Sequence, residues 1–254
     1  MLKQFAFIIA VIITGLGIFF IGLNILDIDE DFRLYLPVAV LNTVFIAAVA
    51  MLVAYLAARR FTATGSPEML GLGGAVLAFG VGILIYGWFT RAVLEVRFAV
   101  YDGTFLMAAV MHFCGVILMK SKLSMSGLKL RQKQAIVLLS YLVICVIIAV
   151  VTWLLYLVVT SFTVPRDLFH VTAAVLFIAA AVIYFKYYRK SHFDFYYWYS
   201  LGLILFTLGI LFMSQGPLES RVAWLGRAGQ YIGGIYFLVA VLGAHKRART
   251  PEVQ

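Results

Sequence analysis

The sequence predicts an all-α integral membrane protein, a bundle of about eight transmembrane helices. The chain has 254 residues, of which 64% are hydrophobic and only 12% are charged, whereas soluble domains are about 45–50% apolar and about 25% charged. The mean hydropathy is +1.04. Too few polar residues exist to cover a water-exposed surface, so a soluble globular domain is excluded, as are disordered and disulfide-scaffold classes.

Eight apolar runs are long enough to cross a bilayer, which takes about 20 residues of helix. Strand-like alternation is absent, and lipid requires backbone groups to be satisfied within the segment, so the runs are predicted to be helices. The first follows Lys3, is too long for a signal-peptide core and lacks a cleavage site, which predicts an uncleaved span. The predicted spans are 4–26, 36–58, 69–90, 99–119, 135–160, 168–187, 195–215 and 224–244.

The distribution of charge predicts the orientation of these spans. With a cytoplasmic N-terminus, fourteen of the 20 basic residues fall on the cytoplasmic side, and eight of the 11 acidic residues fall on the other side. The positive-inside rule therefore favours a cytoplasmic position for both termini. We expect residues 1–245 to form a multi-pass domain in the inner (plasma) membrane. Residues 246–254 are then a short cytoplasmic tail. The basic residues responsible for the net charge of +9 then form a belt on the cytoplasmic side that faces anionic lipid. No nucleic-acid partner is expected.

Glycines recur every seven residues in the third and seventh spans, at Gly73, Gly80 and Gly87 and at Gly202, Gly209 and Gly216. Stripes of small residues let helix backbones approach closely in a bilayer, so both spans are expected in the interior of the bundle. The offset of 129 residues between the two sets is compatible with a parallel 4+4 repeat.

Polar residues within membrane spans are costly and are candidate site residues. Most of them fall in the extracytoplasmic half, where they would line a ligand pocket or pair with each other and lock the bundle. Asp102 and Arg227 are expected to form an ion pair. The candidate ligand-binding residues are Asn42, Asp102, His112, His170, Gln215, Trp224, Arg227, Gln230 and Tyr231.

From its sequence the protein is expected to bind no cofactor and no metal, and not to be an enzyme. His112 and His170 suggest a bis-histidine haem, but His112 lies about 15 Å deeper than His170 at 1.5 Å per residue, so a hydrogen-bonded core histidine is expected instead. Common catalytic motifs are absent. The apolar middle of the spans argues against a small transporter or channel, although that alternative stays open, as does a haem or quinone protein.

The two cysteines and a group of aromatic residues are predicted to have structural rather than functional roles. Cys114 and Cys145 lie in apolar runs and are predicted to be small buried hydrophobes. An aromatic belt at the headgroup level is predicted around the loop 186–194, formed by Tyr184, Tyr187, Tyr188, Tyr196, Tyr197, Trp198 and Tyr199.

Three stretches of the chain resemble a known family. They are LNTVFIAAVAMLVAYLAARR (41–60) with LGLGGAVLAFGVG (70–82), VYDGTFLMAAVMHFCGVIL (100–118), and YYWYSLGLILFTLGILF followed by WLGRAGQYIGGIYFLVAVLGA (196–244). They resemble the multi-helix, membrane-associated sensor (MASE-type, 7TM-like) N-terminal input domains of bacterial and archaeal PAS-containing sensor histidine kinases.

The resemblance implies a sensory input module in the membrane. Such a module perceives an unknown signal ligand and passes the signal through its last helix to a cytoplasmic kinase or cyclase, and it works as a homodimer. This chain departs from the family at Asp102, where asparagine is usual. Residues 1–245 are accordingly interpreted as a sensor-like transmembrane domain.

Overall fold

The computed structural model describes residues 35–88, 94–121, 125–158, 166–215 and 220–247. Within these ranges 93% of the residues are helical and none is in a strand. The elements are α1 (Tyr35–Asn42), a π-helical segment (Thr43–Ala48), α2 (Val49–Thr64), α3 (Pro67–Trp88), α4 (Leu94–Lys120), α5 (Leu130–Val158), α6 (Arg166–Ser191), α7 (Asp194–Met213) and α8 (Arg221–Arg247).

Seven helices of the described ranges are long and apolar enough to cross a membrane. They cover Val38–Thr64, Pro67–Trp88, Phe98–Lys120, Leu130–Leu154, Asp167–Ser191, Asp194–Met213 and Arg221–His245. These helices correspond to the second to eighth predicted spans and confirm an all-helical, multi-pass membrane protein. The first predicted span, 4–26, lies outside the described residues.

Six of these helices form a closed ring. Each packs against the next in the order α2, α3, α4, α6, α7 and α8, and α8 packs against α2 again. Helix α5 lies outside the ring against α2, α3 and α4, and only 17% of its apolar window is buried, compared with 67% for α3. The hydrophobic face of α5 is therefore left to lipid.

Aromatic rings contributed by five helices fill the inside of the ring. Phe79 of α3 meets Phe105 of α4 edge to face at 5.2 Å, and Phe105 meets Phe177 of α6 at 5.1 Å. Phe206 of α7 lies 5.2 Å from Phe237 of α8. Each such pair adds about 0.5–1.5 kcal/mol to the burial of its area, so these contacts fix how the helices meet.

Small residues allow the closest helix contacts. A Cβ placed on Gly80 would lie 2.7 Å from Cβ of Ala50 on α2. Helices α7 and α8 meet where a Cβ on Gly226 would lie 2.5 Å from the carbonyl oxygen of Gly209. The glycine stripes thus do bring backbones together, although Gly216 lies outside the described residues.

Two predictions about burial are wrong. Cys114 is exposed and Cys145 is only half-buried, whereas Tyr184 and Tyr199 of the predicted belt are fully buried in the core. The reason is the solvent: a lipid-facing helix surface is as apolar as the interior, so hydrophobicity does not reveal which face of a span is inside.

The turn between α2 and α3 requires a glycine. Gly65 has φ +72°, and its N–H donates to the carbonyl oxygen of Phe61 at 2.6 Å, which ends α2. A Cβ on Gly65 would lie 2.5 Å from the backbone carbon of Met125 in the loop before α5. Pro67 then begins α3, a position where its missing N–H costs nothing.

Replacing Gly65 with alanine is expected to destabilise the bundle. The left-handed backbone alone costs a non-glycine residue about 1–2 kcal/mol, and the contact with Met125 adds to this. Gly65→Ala should therefore lower the midpoint of thermal unfolding in detergent. Gly127→Ala is the control, since a Cβ there meets nothing within 4 Å; equal midpoints for the two variants would contradict the assignment.

Candidate functional site

The two ends of the bundle differ in charge. We call the end where α2, α4 and α6 finish the basic end, because it carries the residues Arg59, Arg60, Lys120, Lys129, Arg131, Lys186, Arg189 and Lys190. The other end, where α3 and α7 finish, is the distal end. The buried polar side chains are concentrated in the distal half and along the middle of the ring.

Seven of the nine predicted site residues are buried. These are Asn42, Asp102, His112, His170, Arg227, Gln230 and Tyr231. Trp224 is half-buried, and Gln215 is exposed two residues beyond the end of α7. The buried residues other than His112, together with Tyr101, form a group that we call the distal cluster.

Helix α8 is tied to two neighbours by hydrogen bonds within this cluster. The hydroxyl of Tyr231 donates to Oδ1 of Asn42 at 2.8 Å. Nε2 of Gln230 donates to the hydroxyl of Tyr101 at 2.6 Å, and that hydroxyl donates in turn to Sδ of Met213 at 3.2 Å. Helix α8 is thereby linked both to the first spanning helix and to α4.

Asp102 is paired differently from the expectation. Its Oδ1 lies 2.8 Å from Nε2 of His170, a distance at which the ring N–H donates to the carboxylate. The partner is therefore on α6 rather than Arg227 on α8. The other ring nitrogen of His170, Nδ1, has no hydrogen-bond partner within the described part of the chain.

Arg227 is buried without a carboxylate partner among the described residues. Its side chain is only 4% exposed, and its guanidinium lies 4.7 Å from the centre of the Trp224 ring, a cation–π contact. Nη1 has no hydrogen-bond partner within the described part of the chain. A buried donor left unsatisfied is unfavourable, which makes this guanidinium a strong candidate for binding a polar ligand.

Asn42 and Thr43 lie where the π-helical segment begins. Thr43 donates to the carbonyl oxygen of Ala39 at 2.7 Å and accepts from Nε1 of Trp88 at 2.8 Å. The preceding residue, Asn42, points inward to Tyr231. A π-turn widens the helix locally and recurs at functional sites, and this one begins directly after Asn42.

His112 lies deeper, about 15 Å from Asp102 along α4. The prediction of a hydrogen-bonded core histidine is confirmed: Nδ1 lies 2.6 Å from the hydroxyl of Tyr199, and the side chain is 1% exposed. The imidazole also packs 5.1 Å from the ring of Phe237. The ring of Tyr199 in turn lies 4.3 Å from the ring of Tyr184, with the two planes tilted by 30°.

A narrow cavity lies between the distal cluster and His112. Its unfilled space, mouth included, is about 340 Å³, and its interior is wide enough for about one water molecule. Among its lining residues, His112 and Gln230 are the two with strongly polar side chains; the others are small, aliphatic or phenylalanine. Two of the nine predicted site residues therefore share one cavity.

Sequence reasoning missed the roles of three tyrosines. In the sequence, Tyr101 stands out only as part of the stretch 100–118, and Tyr184 and Tyr199 are predicted to belong to the aromatic belt. A usable signal existed for Tyr199, because it is followed by Gly202 and Gly209 on the face that packs against α8. No group of three or more metal-ligating side chains occurs in the described ranges.

The bond between Tyr231 and Asn42 can be measured with a double-mutant cycle. Tyr231→Phe, Asn42→Ala and the double variant should show a coupling free energy of about 0.5–2 kcal/mol in unfolding, the range of interhelical hydrogen bonds in membranes. Thr62→Val with Tyr231→Phe is the control pair, since Thr62 bonds its own helix at Arg59. A coupling no larger than that of the control would contradict the bond.

Comparison with models of known protein families, with curated proteins and with solved structures gives no match for this chain. The fold and the site therefore have to be interpreted from their own geometry.

Proposed function

We propose that the protein is a sensory input module of a signal-transduction system. A signal molecule binds at the distal cluster, and α8 passes the change to a cytoplasmic kinase or cyclase, the partner that the family resemblance implies. The resemblance likewise supports a homodimer. A protein of this kind lies in the inner (plasma) membrane and needs no enzymatic activity of its own.

The observation that carries the proposal is the position of α8. It is one continuous helix of 27 residues, about 40 Å long at 1.5 Å per residue. Arg227, Gln230 and Tyr231 lie near its distal start, and Arg247 ends it at the basic end. A rigid element that joins a buried polar cluster to the other end of the bundle is suited to transmit a tilt or rotation.

The chemistry of the distal cluster supports a polar signal molecule. Nη1 of Arg227 is a buried donor without a partner among the described residues, and it needs an acceptor. A ligand that meets this need in only one arrangement of α8 would shift the equilibrium by its difference in affinity for the two arrangements. Binding energy at Arg227 is thereby converted into movement of α8.

The positive-inside rule supports an orientation with the basic end in the cytoplasm. Arg189 and Lys190 end α6 there, and Lys129 and Arg131 begin the α5 region. With the predicted span 4–26 added, eight crossings would leave both termini in the cytoplasm. The output of α8 would then emerge on the side where kinases and cyclases act.

The parallel 4+4 repeat remains a proposal that rests on the spacing of the glycines. The two glycine stripes make different contacts: Gly80 faces the preceding helix at Ala50, whereas Gly209 faces the following helix at Gly226.

Movement of α8 can be measured by electron–electron distance spectroscopy between two spin labels at the basic end. Gly243→Cys on α8 offers open space, since an added Cβ there meets nothing within 4 Å, and Ser191→Cys labels the exposed end of α6. With Cys114 and Cys145 replaced by alanine, Arg227→Ala should change the distance by about 2 Å or more, the scale of helix shifts in switches.

The matched control is Tyr141→Phe, which removes a bond from α5 to the carbonyl oxygen of Ala54 on α2, far from the distal cluster. It should leave the distance between the labels unchanged. The proposal fails if Arg227→Ala and Tyr141→Phe give the same distance distribution as the unsubstituted protein.

A further inference from the structure

The guanidinium of Arg227 is a buried positive charge that needs a negatively charged acceptor. Arginine stays protonated in proteins, and this side chain is only 4% exposed. Nη1 makes no hydrogen bond within the described part of the chain. A buried charge without an opposite charge beside it is strongly unfavourable, so the chemistry of this position is completed by an anion.

The acidic residue of the distal cluster is engaged elsewhere. Oδ1 of Asp102 lies 2.8 Å from Nε2 of His170 on α6, so its carboxylate accepts from the imidazole. Helix α8 itself contains no aspartate or glutamate between Arg221 and Arg247. Neither Asp102 nor the helix that carries Arg227 therefore supplies the acceptor that Nη1 lacks.

The beginning of α8 adds positive potential to the same region. Arg221 is the first residue of the helix and is exposed, and the N–H groups of a helix N-terminus carry partial positive charge. An acidic residue in the first turn commonly offsets this charge, but the first turn of α8 has none. Arg227 follows at about 9 Å along the helix. An anion that approaches the distal end is therefore drawn towards Arg227.

Trp224 supplies an apolar surface next to the guanidinium. The centre of its ring lies 4.7 Å from the guanidinium carbon of Arg227, one helical turn away on α8, and the side chain is half-buried. The cation–π contact stabilises the positive charge, but it leaves Nη1 without a hydrogen-bond acceptor. A molecule with both a negative group and an apolar body can satisfy the guanidinium and pack against the indole ring.

We propose that the signal molecule bound at the distal cluster is a small organic monocarboxylate. Its carboxylate accepts from the guanidinium of Arg227, and its apolar body lies against Trp224. Hydrogen bonds between a guanidinium and a carboxylate are among the strongest in proteins, because both partners are charged. A monocarboxylate brings one negative charge for one guanidinium, whereas a phosphate group brings about 1.5–2 at neutral pH and would leave negative charge buried.

The consequence of binding rests on the proposed function, in which α8 transmits the signal. Arg227 and Trp224 both belong to α8, so a carboxylate bound between them acts on that helix directly. The identity of the ligand as an anion rests on the buried guanidinium alone. Binding and transmission can therefore be measured separately.

Binding is tested with sodium butyrate and the purified full chain in an uncharged detergent. Trp88, Trp153 and Trp198 are replaced by phenylalanine, which leaves Trp224 as the single tryptophan of the chain. Butyrate should shift the emission of Trp224 in a saturable manner, because the charge beside the indole ring is neutralised. It should also raise the midpoint of thermal unfolding, since a ligand that binds the folded state stabilises it.

Arg227→Gln should weaken butyrate binding about tenfold or more, because a hydrogen bond to a charged group contributes at least that factor. Arg227→Lys retains the positive charge and should bind butyrate more tightly than Arg227→Gln. The matched control is Arg59→Gln, which removes the same charge from an exposed position at the basic end and should bind butyrate as the unsubstituted protein does. Butyramide, which has nearly the same shape without the charge, should produce no saturable response.

The site is overturned if butyrate changes neither the emission nor the unfolding midpoint, or if Arg227→Gln or butyramide responds as strongly. Tighter binding of inorganic phosphate than of butyrate would contradict the monocarboxylate class. The spin-label pair at Gly243 and Ser191 separates this proposal from the proposed function. Butyrate binding without a change in the label distance would contradict transmission and leave the carboxylate site standing. A distance that changes in Arg227→Ala without any butyrate binding would do the reverse.

Discussion

The contact between α2 and α8 closes the ring of helices, and the interior described above exists only because of it. In a bilayer no hydrophobic force drives helices together, so closure depends on close packing and interhelical hydrogen bonds. At Gly234, α8 lies against the helix Val38–Thr64, since a Cβ there would be in van der Waals contact with Cγ1 of Val49 at 3.7 Å. Beside it, Tyr231 bonds Asn42 and stacks on Phe45 at 5.6 Å. An open seam here would expose the polar side chains to lipid.

Closure gives α8 two roles that meet at one residue. Gln230 belongs to the distal cluster through Tyr101, and it lines the cavity that leads to His112. A ligand that moved α8 by one or two ångströms would therefore change the cavity and the basic end together. The buried polar groups are costly to maintain in such a setting, which marks this part of the bundle as a candidate functional site.

Most of the fold could be predicted from the sequence, because twenty apolar residues in a row have one stable arrangement in lipid. Seven predicted spans coincide with helices to within a few residues. The contacts between the site residues were harder to predict. Polar residues at depth identified Asn42, Asp102 and Gln230 as buried, but pairing depends on helix neighbours that composition does not reveal, so Asp102 received the wrong expected partner. The π-turn after Asn42 and the burial of Tyr184 left no periodic signal, whereas Gly202 and Gly209 offered one for the burial of Tyr199.

Closure can be tested by disulfide cross-linking. In a background with Cys114 and Cys145 replaced, Val49→Cys combined with Gly234→Cys should form a disulfide on mild oxidation in the membrane, because an added Cβ at position 234 would lie 3.7 Å from Cγ1 of Val49. The closed ring predicts loss of both free thiols in this pair and none in Leu142→Cys with Gly234→Cys, which joins α8 to the lipid face of α5. Free thiols in the first pair, or a cross-link in the second, would contradict the closed ring.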